Sequence, residues 1–221
     1  MPPGPPAARL PTRCRPGSPR EEPFHAPRYT RTMSDLLLHV CCGPCSTVAV
    51  PAWRERGVEP VAWLHNPNIQ PAAEVERRFE SMLRFSRVAG LELVVEERPS
   101  EAGAWREWVA VLAGATADER CAACVGLRLR AAAAAAARLG VPHFSTTLGV
   151  SPYQRHDLIQ AAGQTAAAEH GVTFAYLDLR GAFRQSYSES RRLDLYRQAY
   201  CGCAASKWEA WHARALRKRA G

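Results

Sequence analysis

Cys41, Cys42 and Cys45 crowd one short stretch, LLLHVCCGPCS, at the end of an apolar run. Cys121 and Cys124 form a C-x-x-C in CAAC, and Cys201 and Cys203 form a C-x-C in YCGC. Thiolates bind soft metals or cycle with disulfides as two-electron couples. C-C and C-x-x-C together supply four thiolates, enough for zinc or for a [4Fe–4S] cluster. Adjacent cysteines chelate one zinc awkwardly, whereas a cluster offers separate irons, so the spacing favours the cluster. The alternative is that these thiols act as small buried hydrophobes. A disulfide across one residue closes a small ring, departs from relaxed geometry and is easily reduced. Gly202 allows the backbone that such a ring needs. Cys201 and Cys203 therefore suit a two-electron relay, with two extra metal ligands as the other reading. Spacing leaves Cys45 open: it could replace one of the four ligands, bind a second metal or remain a thiol. His39, inside the first apolar run, reads as a buried hydrogen-bonded histidine rather than a ligand.

The elements that must position these residues alternate after residue 34. Strands are predicted over 35–40, 60–65, 91–97, 143–148 and 172–179, the first a short continuous apolar run as in a strand buried on both faces. Helices are predicted over 46–56, 71–89, 101–113, 122–138 and 154–169, followed by terminal helices over 189–199 and 204–219. Gly57, Gly90 and Gly140 punctuate helix ends, and NPNIQP (66–71) reads as a loop. The alternation implies an α/β fold with a doubly wound, mostly parallel five-stranded sheet and helices on both faces. Ligands in such sheets sit beyond the carboxyl ends of the strands where strand order reverses. The first strand usually lies there, which puts Cys41, Cys42 and Cys45 in the default crevice.

At 221 residues, with 47% hydrophobic and 23% charged, the chain suits one globular domain with an appendage. The appendage is residues 1–33, rich in proline and arginine and without apolar periodicity, expected to be disordered. It contains Cys14, read as unrelated to the site. The formal charge is +8, which permits a polyanionic partner such as RNA without demanding one. There is no continuous apolar segment of membrane-span length and no secretory h-region, so the expectation is a cytoplasmic protein without a membrane partner. Clustered cysteines in a reducing compartment point to metal or redox chemistry rather than a disulfide framework.

The motifs LLLHVCCGPCS, NPNIQP, CAACVGLRL, FSTTLGVSPYQRHDLI and LYRQAYCGCAAS, in that order, resemble the cobalamin-independent epoxyqueuosine reductase family of the QueH type. The resemblance runs from Leu36 to about Ser206. It implies reduction of epoxyqueuosine to queuosine at the wobble base of tRNA, with an external electron donor and no DNA partner. It also implies a [4Fe–4S] cluster on Cys41, Cys42, Cys121 and Cys124, and a redox-active disulfide between Cys201 and Cys203. An additional iron near the cluster, with Cys45 as a ligand, is compatible with it. The family's sheet resembles that of the HUP-like, ATP-binding α/β folds. Here CCGPCS replaces a glycine-rich phosphate loop, so no nucleotide cofactor is expected.

Position nominates further residues. Asp118, just before the C-x-x-C, and Tyr153 are candidate proton donors, although Asp118 also reads as a cap for a helix beginning near Cys121 and Tyr153 as packing. Asn66, Asn68, Arg155 and His156 lie after predicted strands and are candidates for binding the base, sugar or phosphates. Two other classes compete with the oxidoreductase. One is a zinc module that binds RNA; the other is a thiol–disulfide oxidoreductase acting on proteins, which would not need Cys41 and Cys42.

Overall fold

A computed structural model describes residues 34–95 and 115–220, with side chains described as far as Arg217. The segment 1–33, the predicted helix over 101–113 and the end of the predicted third strand lie outside the described residues.

The first strand, β1 (Leu36–Val40), is buried along its whole length and pairs in parallel with β2 (Val61–Leu64) and β4 (His143–Thr146). β3 (Leu93–Val95) adds beside β2 and β5 (Thr173–Phe174) beside β4, giving the order β3-β2-β1-β4-β5 with every pair parallel. Both neighbours of β1 supply apolar partners, and Leu36, Leu37, Leu38 and Val40 form the middle of the core. The order reverses between β1 and β4, so the switch point lies where the sequence pattern put it.

Helices cover both faces. α1 (Gly43–Arg54) packs with α2 (Ala72–Ala89) on one side. On the other, α3 (Ala117–Leu139) packs with α4 (His156–His170). The alanine run of α3 buries Ala132, Ala133, Ala135 and Ala136, so small side chains allow close approach of helix to sheet and helix to helix. Gly90, Gly140 and Gly171 end α2, α3 and α4 in the left-handed conformation, the usual stop signal.

Several boundaries differ from expectation for identifiable reasons. α3 begins at Ala117 because Thr116 and Glu119 form a reciprocal capping box, so Thr116, not Asp118, is the cap. The fifth strand keeps only Thr173 and Phe174 in the sheet. Beyond it, Ala175 and Leu179 donate to the carbonyls of Phe144 and Gly149 as the chain leaves the ladder. The helix expected over 189–199 is α5 (Phe183–Arg192), a polar segment that packs on α1 and buries only Ser186 and Ser190. A last helix, α6 (Ala204–Ala220), follows an irregular junction. Among the described residues, no helix is long and apolar enough to cross a membrane.

Candidate functional site

β1 ends at Val40 and α1 starts at Gly43, so Cys41 and Cys42 occupy the hinge between them. Cys42 is extended (φ −172°, ψ 164°) and serves as N-cap without a side-chain cap bond, which leaves its thiol for the crevice. Cys45 comes from the first turn of α1. The three Sγ atoms, all buried, lie within 4.8 Å of one another. Cys41 and Cys42 are 3.7 Å apart. Thr147, just past β4, accepts from the Cys41 amide at 3.3 Å and donates toward its sulfur at 3.6 Å. Contacts from Cys42 and Cys45 favour a thiolate on Cys41 over the opposing cost of burial, placing it well below the usual thiol range. The hydrogen bond with Cys41, aided by burial, pushes Cys42 up to about 12, and Cys45 also rises through its contacts with Cys41 and Cys42. A thiolate on Cys41 within a buried sulfur trio is an arrangement that could hold a metal ion.

Two buried guanidinium groups balance that charge. Burial disfavours ionised Arg78 and Arg128, yet nearby sulfurs hold both above the ordinary arginine range: chiefly Cys42 for Arg78, and Cys124, Cys201 and Cys41 for Arg128. Arg78 on α2 is tied to Glu74 through Nε at 2.8 Å and donates to the carbonyls of Cys201 at 2.9 Å and Tyr200 at 3.0 Å. Arg128 on α3 donates to the Cys124 carbonyl at 3.1 Å. Each arginine therefore connects one cysteine group to the next.

Cys121 and Cys124 lie near the start of α3, three residues apart and so on one helical face. Cys124 is buried and packs against Cys203, at the entry to α6. Burial raises Cys124 to about 11. Cys121 also rises, through burial and then the neighbouring charge of Cys201. Cys201 and Cys203 are thiols in this structure, the first exposed and the second buried. Gly202 between them has φ +154°, and a Cβ there would stand 3.3 Å from both Asn68 and Ile69. Its carbonyl accepts from the Gln70 amide at 2.9 Å. The NPNIQP loop therefore serves as the seat of the C-x-C turn.

Beside the sulfurs opens a cavity of about 420 Å³. Cys41, Cys45 and Cys201 reach it, and so do Tyr153, Phe183 and Tyr187. The three rings meet edge to face, Tyr153 on Phe183 at 5.7 Å and Phe183 on Tyr187 at 5.1 Å. Arg197 lies over Tyr187 at 5.3 Å. Gln154 and Gln198 each donate an amide N–H to sulfur at 3.2 Å, to Cys201 and Cys42 respectively. Phe183, Tyr187, Arg197, Gln154 and Gln198 escaped the sequence reading. The last three stand in quoted motifs, but α5 has no apolar period to draw attention to its aromatics.

Other nominated residues lie elsewhere. Asp118 is exposed and pairs with Arg155 at 2.6 Å, and Arg155 also grips Asp157 at 2.8 Å. Neither Asp118 nor Arg155 is among the described residues lining the cavity. Asn66 donates to the Val40 carbonyl at 2.8 Å, securing the end of β1, and Asn68 is buried under the C-x-C turn. His156 is buried between Tyr176 and the Ser151 carbonyl. His39 is fully buried between Thr146 and the His65 carbonyl, as read from sequence, and burial lowers it to about 4.

The donor set fits a sulfur-ligated metal. The trio could hold an ion by itself. Cys121 and Cys124 stand outside that 4.8 Å group, beyond the sulfur–sulfur distance of about 3.8 Å that one tetrahedral zinc imposes. A cluster binds each thiolate to a different iron and does not require such closeness.

The family model described as epoxyqueuosine reductase QueH matches residues 36–209. Epoxyqueuosine reductase QueH of Dehalococcoides mccartyi is 38% identical over 174 residues, 79% of this chain and 93% of that protein. Its counterpart in Thermotoga maritima is 32% identical over 85% of this chain and 98% of its own length. That of Haemophilus influenzae is 30% identical over 77% of this chain and 71% of its own length. These relatives are named as reductases, and the matched span carries all seven cysteines of the three groups. The chain belongs to the epoxyqueuosine reductase QueH family.

Proposed function

We propose that this chain reduces the epoxide of epoxyqueuosine, at the wobble position of tRNA, to the alkene of queuosine, the last step of queuosine synthesis. The observation that carries the reading is the meeting of buried thiols, two buried arginines and an aromatic-walled cavity at the sheet's switch point. Such a place suits a flat base and a sulfur-ligated metal together.

Converting an epoxide to an alkene and water consumes two electrons and two protons. Oxidising the dithiol Cys201/Cys203 to a disulfide releases two of each, so the balance closes, and an external reductant must reset the pair. When bound on Cys41, Cys42, Cys121 and Cys124, a [4Fe–4S] cluster supplies single-electron transfer, and an additional iron at Cys45 would supply a Lewis acid for the epoxide oxygen. The chain's own residues do the rest. Arg78 and Arg128 offset the negative charge that thiolates bring into the core. Gln154 and Gln198 direct N–H groups at Cys201 and Cys42, hydrogen bonds of the kind that set sulfur-site potentials. Phe183 and Tyr187 offer ring faces and edges to the base. The Tyr153 hydroxyl, at the cavity mouth, is the proton donor in this reading. Asp118, held by Arg155, orients that arginine and takes no part in proton transfer.

The test is anaerobic iron and sulfide analysis of wild type and of a Cys121→Ala/Cys124→Ala variant, followed by turnover on tRNA carrying epoxyqueuosine. Iron and sulfide in equal amount, lost in the variant, with alkene formed by wild type, supports the proposal. Zinc in their place, with RNA binding and no turnover, replaces it with the RNA-binding module.

A further inference from the structure

The family match ends at residue 209, yet α6 continues for about three more turns. Its sequence, AASKWEAWHARALRKRA, has five basic residues and one acid. That acid, Glu209, is paired with Arg120 at 2.5 Å. Two tryptophans on this helix are largely in water, Trp208 at 61% and Trp211 at 65% exposure. Large apolar rings at such exposure are uncommon on a surface without a partner. The Trp208 ring stacks on His212 with centroids 5.1 Å apart and planes within 7°.

Helical spacing arranges these side chains in sequence around the cylinder. Ser206, Ala210 and Glu209, the acid paired with Arg120, face the cavity. Lys207 and Arg214 stand on the adjoining flank, with Arg214 steadied by the Ala199 carbonyl at 3.1 Å. Trp211 comes next, and the Trp208–His212 pair lies beyond it. A polymer leaving the cavity on this side meets positive charge first and flat rings next.

We infer that this face of α6 binds a single-stranded stretch of RNA, with bases stacked on Trp211 and on the Trp208–His212 pair and phosphates against Lys207 and Arg214. Alternating cations and aromatic faces are what sequence-tolerant single-strand binding uses. Charge complementarity selects this occupant, since the helix has a strong positive excess. A membrane surface fits less well, because Lys207, His212 and Arg214 interrupt the exposed rings and leave no continuous apolar stripe. The inference rests on tRNA being the substrate and assigns this helix to the nucleotides flanking the modified base.

The experiment uses full-length protein, purified anaerobically, and an unmodified RNA stem-loop with a seven-base loop, so that binding is independent of epoxide chemistry. Fluorescence anisotropy is read for wild type, Trp208→Ala, Trp208→Phe, Trp211→Ala and a Lys207→Gln/Arg214→Gln double variant. Loss of one stacking ring should weaken binding by roughly ten-fold, while Trp208→Phe keeps most of it. The charge variant should flatten the salt dependence by roughly 1.4 in logarithmic slope, two phosphates at about 0.7 each. Both ring residues are exposed, so unchanged melting temperatures are expected. Unchanged affinity in both tryptophan variants overturns the inference. So does loss of binding to phosphatidylserine vesicles, or loss of self-association, with RNA affinity intact. Turnover on epoxyqueuosine tRNA is measured separately: wild-type turnover with undiminished binding by the variants removes the platform alone, whereas stacking-dependent binding without turnover removes the reductase reading alone.

Discussion

The buried thiol of Cys124 packs against that of Cys203, joining the C-x-x-C near the start of α3 to the C-x-C before α6. Their partners, Cys121 and Cys201, are exposed. Each pair thus has one sulfur in the core and one at the surface.

Brief alkylation of chelator-treated protein should therefore modify Cys201 and Cys121 first among the described cysteines. Cys42, Cys124 and Cys203 should react only on unfolding, and Cys41 and Cys45, which line the cavity, at an intermediate rate, because alkylation needs an accessible thiolate. Peptide mass mapping over time reads the order. Early labelling of Cys203 would show that the junction before α6 opens in the native protein.

Glu74 and Arg78 form a second buried relationship, with 0% and 2% of their side chains exposed. Burial alone would raise the Glu74 carboxyl, but hydrogen bonds from Tyr196, Arg77 and Arg78 hold it below its usual value. Replacing it with Gln removes the ion-pair partner from a buried arginine, a loss of about 3 kcal/mol and roughly 6–12 °C in melting temperature. Because the folded pKa is depressed, the stabilisation is complete above the ordinary carboxylate range and fades as pH falls through the folded value. The gap in melting temperature between wild type and Glu74→Gln should be constant from about pH 8 to 6 and narrow below about pH 4. A gap independent of pH would show that Glu74 acts by packing alone.

The sheet and its switch point were legible because β1 is a short apolar run and strong helix punctuation separates the strands. The three cysteine groups were legible as candidates, since thiols are rare and their spacing informative. The start of α3 was readable too, as Thr116 with Glu119 three residues on, but the search for apolar periodicity began after it. α5 was not readable. Its packing face is Ser186 and Ser190, and small polar residues carry no hydrophobic period. The cavity's aromatic wall was missed with it. The surroundings of Asn66 and Asn68 were hidden for a related reason: sequence shows an amide after a strand but not that one donates to the Val40 carbonyl and the other is buried under the C-x-C turn.

Two glycines set how closely the cysteine groups approach. A Cβ on Gly43 would lie 2.6 Å from the Ser81 carbonyl oxygen, so α1 and α2 could not keep their contact next to Cys42. Gly202 combines a backbone that other residues rarely adopt with the nearness of Asn68 and Ile69. Gly43→Ala and Gly202→Ala should each cost about 1–3 kcal/mol, measured as a lowered urea midpoint with unchanged slope. Gly202→Ala should also speed alkylation of Cys203 in the native protein. If Gly43→Ala melts like wild type, the α1–α2 contact is looser than drawn.

Tyr153 and Phe183 meet edge to face at the cavity mouth, and substitution can separate their contributions. Phe183→Ala removes a surface against which a base can stack, in ground state and transition state alike. It should raise KM roughly ten-fold with kcat nearly unchanged. Tyr153→Phe keeps the ring and removes the hydroxyl, so it should leave KM alone and lower kcat by about 100-fold or more if that hydroxyl delivers the proton. Steady-state kinetics on tRNA bearing epoxyqueuosine distinguishes the two. A full kcat in Tyr153→Phe would remove the tyrosine from proton transfer and leave water as the donor. A fall in kcat matched by an equal fall in kcat/KM would place the hydroxyl's interaction in the transition state.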